Sequence, residues 1–196
     1  MTDDISIPIG CVVMAAGNAE RFGQNKLSAV FRGKTLLEYA LEAVPADRLA
    51  AVCVVTQYPE AEASARRYGF RCVRNDRPER GAGFSVRLGV EALGDRCRGI
   101  MFQVADQPLL RRESVTALVE LFCAHPDRIA AMAHNGVRGN PCIFPAEFYP
   151  ELCALEGDTG GSAVIRRHPE RLLLLEVDPK ELADVDTPQQ LSELEK

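Results

Sequence analysis

Long apolar runs are missing from this chain. No stretch of about 18 or more apolar residues occurs, which excludes a membrane-spanning helix of the usual kind. The opening residues, Met1 to Ser6, are polar and lack the basic-then-apolar pattern of a secretory signal, so a cytoplasmic protein without membrane association is expected. An excess of positive charge is missing too. The formal net charge is -5, whereas a general nucleic-acid binder carries a basic surface to neutralise phosphates. That balance still allows a local basic pocket for a small anionic ligand.

Paired cysteines are absent as well: the seven cysteines form no CxxC or CxxH pair, and several fall inside apolar runs. They read as reduced, mostly buried small hydrophobes. His125, His134 and His168 are scattered with no local metal spacing, and no GxSxG elbow supports a serine hydrolase. Aromatic residues are only 6% of the chain but 46% is apolar, which at 196 residues suffices for one sizeable core and is short for two. With no repeat, low-complexity tract or linker, a single domain over residues 1–196 is expected.

What is present is an alternation. Apolar runs at 9–15, 50–55, 99–105, 129–133 and 172–177 read as central, parallel-type strands. Helix-like segments at 35–44, 59–68, 84–93, 113–123 and 160–167 lie between them, and a last helix is expected over 188–195. This spacing implies βαβ units and a doubly wound, mostly parallel α/β sheet. Residues 136–150 break the alternation with Gly, Pro and the short apolar stretch Cys142 to Phe144, which reads as a small β excursion. In such sheets ligands bind beyond the carboxyl ends of the strands, so the residues just after each strand matter most.

After the first strand come Ala15, Ala16 and Gly17, then Arg21, Gly23 and Lys26. Two small residues and a glycine let the backbone approach a ligand, and their N-H groups can point at phosphate oxygens. Arg21 and Lys26 add fixed and mobile positive charge. The segment is neither the dinucleotide GxGxxG nor the GxxxxGK loop followed by Ser or Thr, since Leu27 follows Lys26. Taken alone it reads equally as an ordinary strand-to-helix turn with two exposed basic residues. A second segment, Ala105-Asp106-Gln107-Pro108-Leu109, sets a carboxylate at a strand end, where it can hold a hard cation or simply form a turn. A third, Asp184-Val185-Asp186-Thr187-Pro188, precedes the final helix, with either Asp186 or Thr187 able to cap it.

Together these segments resemble, in order along nearly the whole chain, the MobA-like nucleotidyltransferases, and specifically their molybdenum cofactor cytidylyltransferase branch. The resemblance implies a Rossmann-like nucleotidyltransferase fold. It implies a Mg²⁺-dependent enzyme in which Arg21 and Lys26 hold the triphosphate and Asp106 and Asp186 hold the metal, with Asp184 in an outer or exposed position. Ala15, Ala16, Gly17, Asn75, Gly81 and Ser85 would bind the nucleotide, the last three resembling the family's stretch by base and ribose. Arg138-Gly139-Asn140-Pro141 resembles its acceptor-side segment, and Gly157-Asp158-Thr159-Gly160-Gly161 its Gly-Asp turn. The donor implied is CTP, because the guanylyl branch usually has Ala-Gly-Gly where this chain has Ala15-Ala16-Gly17. The acceptor implied is molybdopterin, with a client molybdoenzyme receiving the product. Two departures stand out: Ala19 replaces the usual Ser or Gly, and Gly161-Ser162 replaces Ala-Arg, which bears on the acceptor more than on the reaction. The alternatives are a sugar- or polyol-phosphate nucleotidyltransferase, and a molybdenum-cofactor carrier or insertion chaperone without turnover.

Overall fold

The computed structural model describes residues 7–17 and 25–194. The strands and helices in chain order are β1 (Ile9–Ala15), β2 (Val30–Phe31), β3 (Lys34–Thr35), α1 (Leu36–Ala43), β4 (Ala51–Thr56), α2 (Pro59–Arg67), β5 (Arg71–Arg74) and α3 (Ala82–Leu93). They continue as β6 (Gly99–Val104), α4 (Arg112–Ala124), β7 (Ile129–His134), β8 (Val137–Pro145), α5 (Tyr149–Cys153), α6 (Ser162–Arg167), β9 (Leu172–Glu176) and α7 (Pro188–Leu194). Seven strands form one sheet in the order β5-β4-β1-β6-β8-β7-β9, and β2 pairs with β3 in a separate ribbon. β8 pairs antiparallel with both of its neighbours, and the remaining pairings of the main sheet are parallel.

Alternation of side chains along β1 explains why it is buried on both faces. Ile9, Cys11, Val13 and Ala15 point into one core with Leu37 and Leu41 of α1, Ala61 and Ala65 of α2, and Leu118 and Phe122 of α4. Val12 points into the opposite core with Val86 and Val90 of α3, Leu152 of α5 and Val164 of α6. Helices therefore cover both faces, as the expected α/β fold requires. Among the described residues no helix is long and apolar enough to cross a membrane.

Two departures from the sequence reading have clear causes. The short excursion at Cys142 to Phe144 is the second half of β8, which lies inside the main sheet between β6 and β7. A proline in a central strand removes a ladder donor. Here the ladder shifts register, with Ala131 opposite Cys142 and Ala133 opposite Arg138, so Gly139, Asn140 and Pro141 fall in a bulge where that donor is not needed. The run at 172–177 is an edge strand, β9, paired with β7 alone and only partly buried. β5 and α5 carry no sequence signal because each is too short to show a period.

β1 is hydrogen-bonded to β4 on one side and to β6 on the other. The chain thus leaves β1 for one half of the sheet and returns to it with β6, which opens a crevice at the carboxyl ends of these two strands.

Candidate functional site

A cleft of about 660 Å³ lies at that crevice. Its β1 side is the turn after Ala15, which is braced by three successive side chains at the end of β4. Thr56 Oγ1 donates to the Ala15 carbonyl at 2.9 Å, Gln57 Nε2 to Ala16 at 2.9 Å and Tyr58 Oη to Gly17 at 3.0 Å. Strand-end position is the one sequence signal that would have singled out these three residues. Ala16 and Gly17 line the cleft. Arg21, assigned to the triphosphate, lies outside the described residues.

Past that gap the chain is pinned again. Asn25 accepts a hydrogen bond from the Leu27 amide and donates one to Glu60 at 2.9 Å, while Leu27 is buried in the first core. Lys26 sits on this short turn and reaches inward. Its Nζ lies 2.6 Å from Asp106 Oδ2 and 3.0 Å from Asp186 Oδ1, joining three segments that are far apart in sequence. The Lys26 and Asp106 side chains are each 19% exposed and Asp186 is 49% exposed, so water screens the first pair far less than the second. Burial works against the lysine charge, but Asp106 and then Asp186 outweigh it and hold the Lys26 pKa above the ordinary value.

Asp106 follows β6 by two residues and is tied to the C-terminal segment through its backbone. The Val185 amide donates to the Asp106 carbonyl at 2.9 Å, and the Val185 side chain is buried with Phe31 and Leu36. Capping of α7 falls to Thr187: its Oγ1 accepts from the Gln190 amide at 3.2 Å, and Gln190 Oε1 accepts from the amides of Thr187 and Asp186. The Asp186 carboxylate is thereby left to face Lys26. Asp184 accepts from Gln107 Nε2 at 2.9 Å, and burial, then the nearby Asp106, raise its pKa. Behind these residues, buried Glu181 takes Arg111 Nη2 at 2.6 Å and the Arg111 amide at 3.0 Å, which clamps the segment carrying both aspartates to the start of α4. No periodicity or motif marks Glu181.

The α3 side of the cleft is built from main chain and small side chains. Gly81 has φ +78°, and a Cβ there would lie 2.3 Å from the Gly157 carbonyl carbon. Only glycine allows that approach, which is locked by the Gly83 amide donating to Gly157 O at 3.0 Å. The same contact brings Asp158 and Gly160 to the cleft. Ser85 lines the cleft, while Asn75 is buried beneath it, donating to Ser85 Oγ at 3.0 Å and accepting from the Arg77 amide at 2.9 Å. Across the cleft stands Arg138, at the β8 bulge, within reach of Gly139 O and Cys142 Sγ and with no carboxylate partner among the described residues.

The donor set suits a hard divalent cation. Asp106 Oδ1 is buried and has no hydrogen-bond partner among the described residues, so a carboxylate oxygen is already stripped of water there. No group of three or more His, Cys, Asp or Glu side chains is assembled for a metal among the described residues.

Comparison with known proteins agrees with this architecture. The chain is 29% identical over 195 residues to the purine catabolism protein PucB of Bacillus subtilis (strain 168), covering 91% of this chain and 92% of that one. Its fold superposes on the crystal structure of Rv0371c from Mycobacterium tuberculosis H37Rv with a TM-score of 0.81 at 25% identity, covering 96% and 97% of the two chains. Rv0371c has also been crystallised in complex with manganese, with a TM-score of 0.75, 25% identity and 95% and 97% coverage. The fold alone is shared with a CMP:2-keto-3-deoxy-manno-octonic acid synthetase complexed with CTP, with a TM-score of 0.73, 15% identity and 96% and 97% coverage. The model of the MobA-like NTP transferase domain matches residues 11–172, and the chain therefore belongs to that family of nucleotidyltransferases.

Proposed function

We propose that this protein transfers the CMP group of CTP to the phosphate of molybdopterin, releasing pyrophosphate. The observation that carries this reading is the meeting of Lys26 with Asp106 and Asp186 at a cleft that the uncharged residues Ala16, Gly17, Gly81 and Ser85 also line. An oxygen of the acceptor phosphate attacks the α-phosphorus of CTP, forming a new P-O bond as the bond to the β-phosphate oxygen breaks. That oxygen is already anionic at neutral pH, so no general base is needed. The barrier is the approach of two anions, and the chain lowers it by positioning and charge.

Lys26 and Arg21 neutralise the triphosphate, and Arg138 orients the acceptor phosphate from the other side. Asp106 and Asp186 would hold a divalent cation, proposed as Mg²⁺, which supplies charge neutralisation at the phosphate oxygens when bound. The small residues Ala16 and Gly17 receive the cytosine base, with the Ala16 methyl narrowing the pocket against a purine. Ser85 and the Gly81 backbone border the ribose, and Asn75 fixes Ser85 from below.

Radiolabelled CTP and GTP, each incubated with molybdopterin and Mg²⁺, test the reading. CMP transfer with pyrophosphate release is the expected result. A clear preference for GTP, or transfer only to sugar or polyol phosphates, would replace it. Tight cofactor binding with no pyrophosphate release would instead make the protein a carrier.

A further inference from the structure

Lys26 stands on the same two carboxylates that the proposed function gives to a divalent cation. A cation held by Asp106 and Asp186 would sit about 2.0–2.6 Å from their oxygens. The Lys26 ammonium already lies 2.6 Å from Asp106 Oδ2 and 3.0 Å from Asp186 Oδ1. Both cations cannot occupy that space, and the Lys26 and Asp106 side chains are too shielded from water for their repulsion to be screened away.

The main chain around this contact has little room to yield. Lys26 is followed by buried Leu27 and preceded by Asn25, which is fastened to Glu60. Asp106 is fastened through its carbonyl to Val185, itself buried against Phe31 and Leu36. Rotation of the lysine side chain would therefore clear both carboxylates without moving the main chain. A rotated ammonium needs another anion, and the triphosphate of the proposed nucleotide would offer one.

We infer that Lys26 is a latch on the metal seat: it closes the two carboxylates to a divalent cation until a triphosphate draws its ammonium away. Resting on the functional reading above, this makes metal and nucleotide bind with mutual positive coupling, each raising the affinity of the other by the same factor. It also accounts for Asp106 Oδ1, which has no hydrogen-bond partner among the described residues. The ammonium satisfies Oδ2 alone, and the second oxygen is left for the ion that replaces it.

The test is Mn²⁺ binding to the full-length protein, read by loss of the free-ion electron paramagnetic resonance signal. Without nucleotide, Lys26→Gln is expected to bind Mn²⁺ about tenfold or more tighter than the wild type, because it frees a carboxylate pair that the native chain spends on its own lysine. Lys26→Arg, which keeps the charge, is expected to bind no tighter than the wild type. With saturating CTP, and after correction for Mn²⁺ bound to free nucleotide, the wild type should close most of that gap. Equal Mn²⁺ affinity of wild type and Lys26→Gln without nucleotide would overturn the latch while leaving the metal seat in place. If Lys26→Gln does not fold by circular dichroism, the wild type alone decides: unchanged Mn²⁺ affinity on adding CTP overturns the coupling. Failure of every form to bind Mn²⁺ even with CTP would overturn the metal seat itself, and the latch with it.

Discussion

Ala16, Gly17, Gly81 and Ser85 form an uncharged wall of the cleft with Asp158 at its border, whereas Lys26, Asp106 and Arg138 form a charged one. The uncharged wall is held by hydrogen bonds to main chain and by close backbone approach, as in the bracing of residues 15 to 17 by Thr56, Gln57 and Tyr58. The charged wall is assembled from distant segments through ion pairs and one buried side-chain cluster. Such a division suits a ligand with a neutral planar end and a polyanionic end. In the proposed reaction the first wall would discriminate by shape, where an added methyl group changes fit, and the second would act on charge, where removing one group changes rate.

Substitutions in the two walls should therefore fail differently. Asp106→Ala is expected to give the largest effect, a fall of about 10³-fold in transfer rate, or about 4 kcal/mol, measured as pyrophosphate release with saturating CTP. Its thermal unfolding should change little, since Val185 is tied to the Asp106 carbonyl and not to its side chain. Asp186→Ala should cost less, because its carboxylate is more exposed. A larger loss at Asp186 than at Asp106 would reverse their ranking as metal holders.

On the uncharged wall the expected loss is in stability and fit. Gly81→Ala combines a left-handed φ with a Cβ that meets the Gly157 main chain, and should destabilise the fold by about 2–4 kcal/mol in urea denaturation. The surviving folded fraction should show a raised KM for CTP and a near-normal kcat. Asn75→Ala strands the buried Ser85 hydroxyl and the Arg77 amide, which predicts a loss of about 1–3 kcal/mol. A large drop in kcat for Asn75→Ala, with stability unchanged, would move Asn75 from support of the wall into contact with the ligand.

The two walls also differ in how far the amino-acid sequence discloses them. Strands β1, β4 and β6 are legible because burial on both faces leaves near-continuous apolar runs, and Asp106 is legible because it stands two residues past the end of one of them. Gly81 and Ser85 stand out only through the family resemblance, since a turn glycine and a helical serine have no periodicity of their own. Asn75 stands out the same way, and its burial beneath Ser85 depends on how β5 and α3 pack, which no local pattern records. β8 reads short in the sequence because Gly139, Asn140 and Pro141 signal a loop wherever tertiary pairing does not absorb them in a bulge. Glu181 was invisible for a related reason: an acidic residue in a polar turn looks solvated until Arg111 covers it.

The smallest expected effect probes what supports the charged wall from outside the cleft. Thr35 caps α1 with a full capping box: its Oγ1 accepts from the Glu38 amide at 3.2 Å, and its amide and hydroxyl donate to the Glu38 carboxylate at 2.8 and 2.9 Å. The next residue, Leu36, packs with Phe31 on Val185, so the cap steadies the cluster that seats Asp186. Thr35→Ala should cost about 1 kcal/mol of stability at neutral pH. The backbone and then the side-chain hydrogen bond from Thr35 hold the Glu38 pKa below its ordinary value. A carboxyl whose pKa is lowered on folding stabilises above its unfolded pKa, and that contribution fades as pH falls through the folded value. Urea denaturation of wild type and Glu38→Gln should therefore differ at neutral pH and converge in acid. Since the cap reaches the cleft only at one remove, through Val185 and through the Leu36 amide on Ala29 O beyond the Lys26 turn, transfer rates in both variants should stay within about twofold of wild type. A larger drop would mean that the charged wall depends on this cluster for the position of Asp186 as well as for its stability.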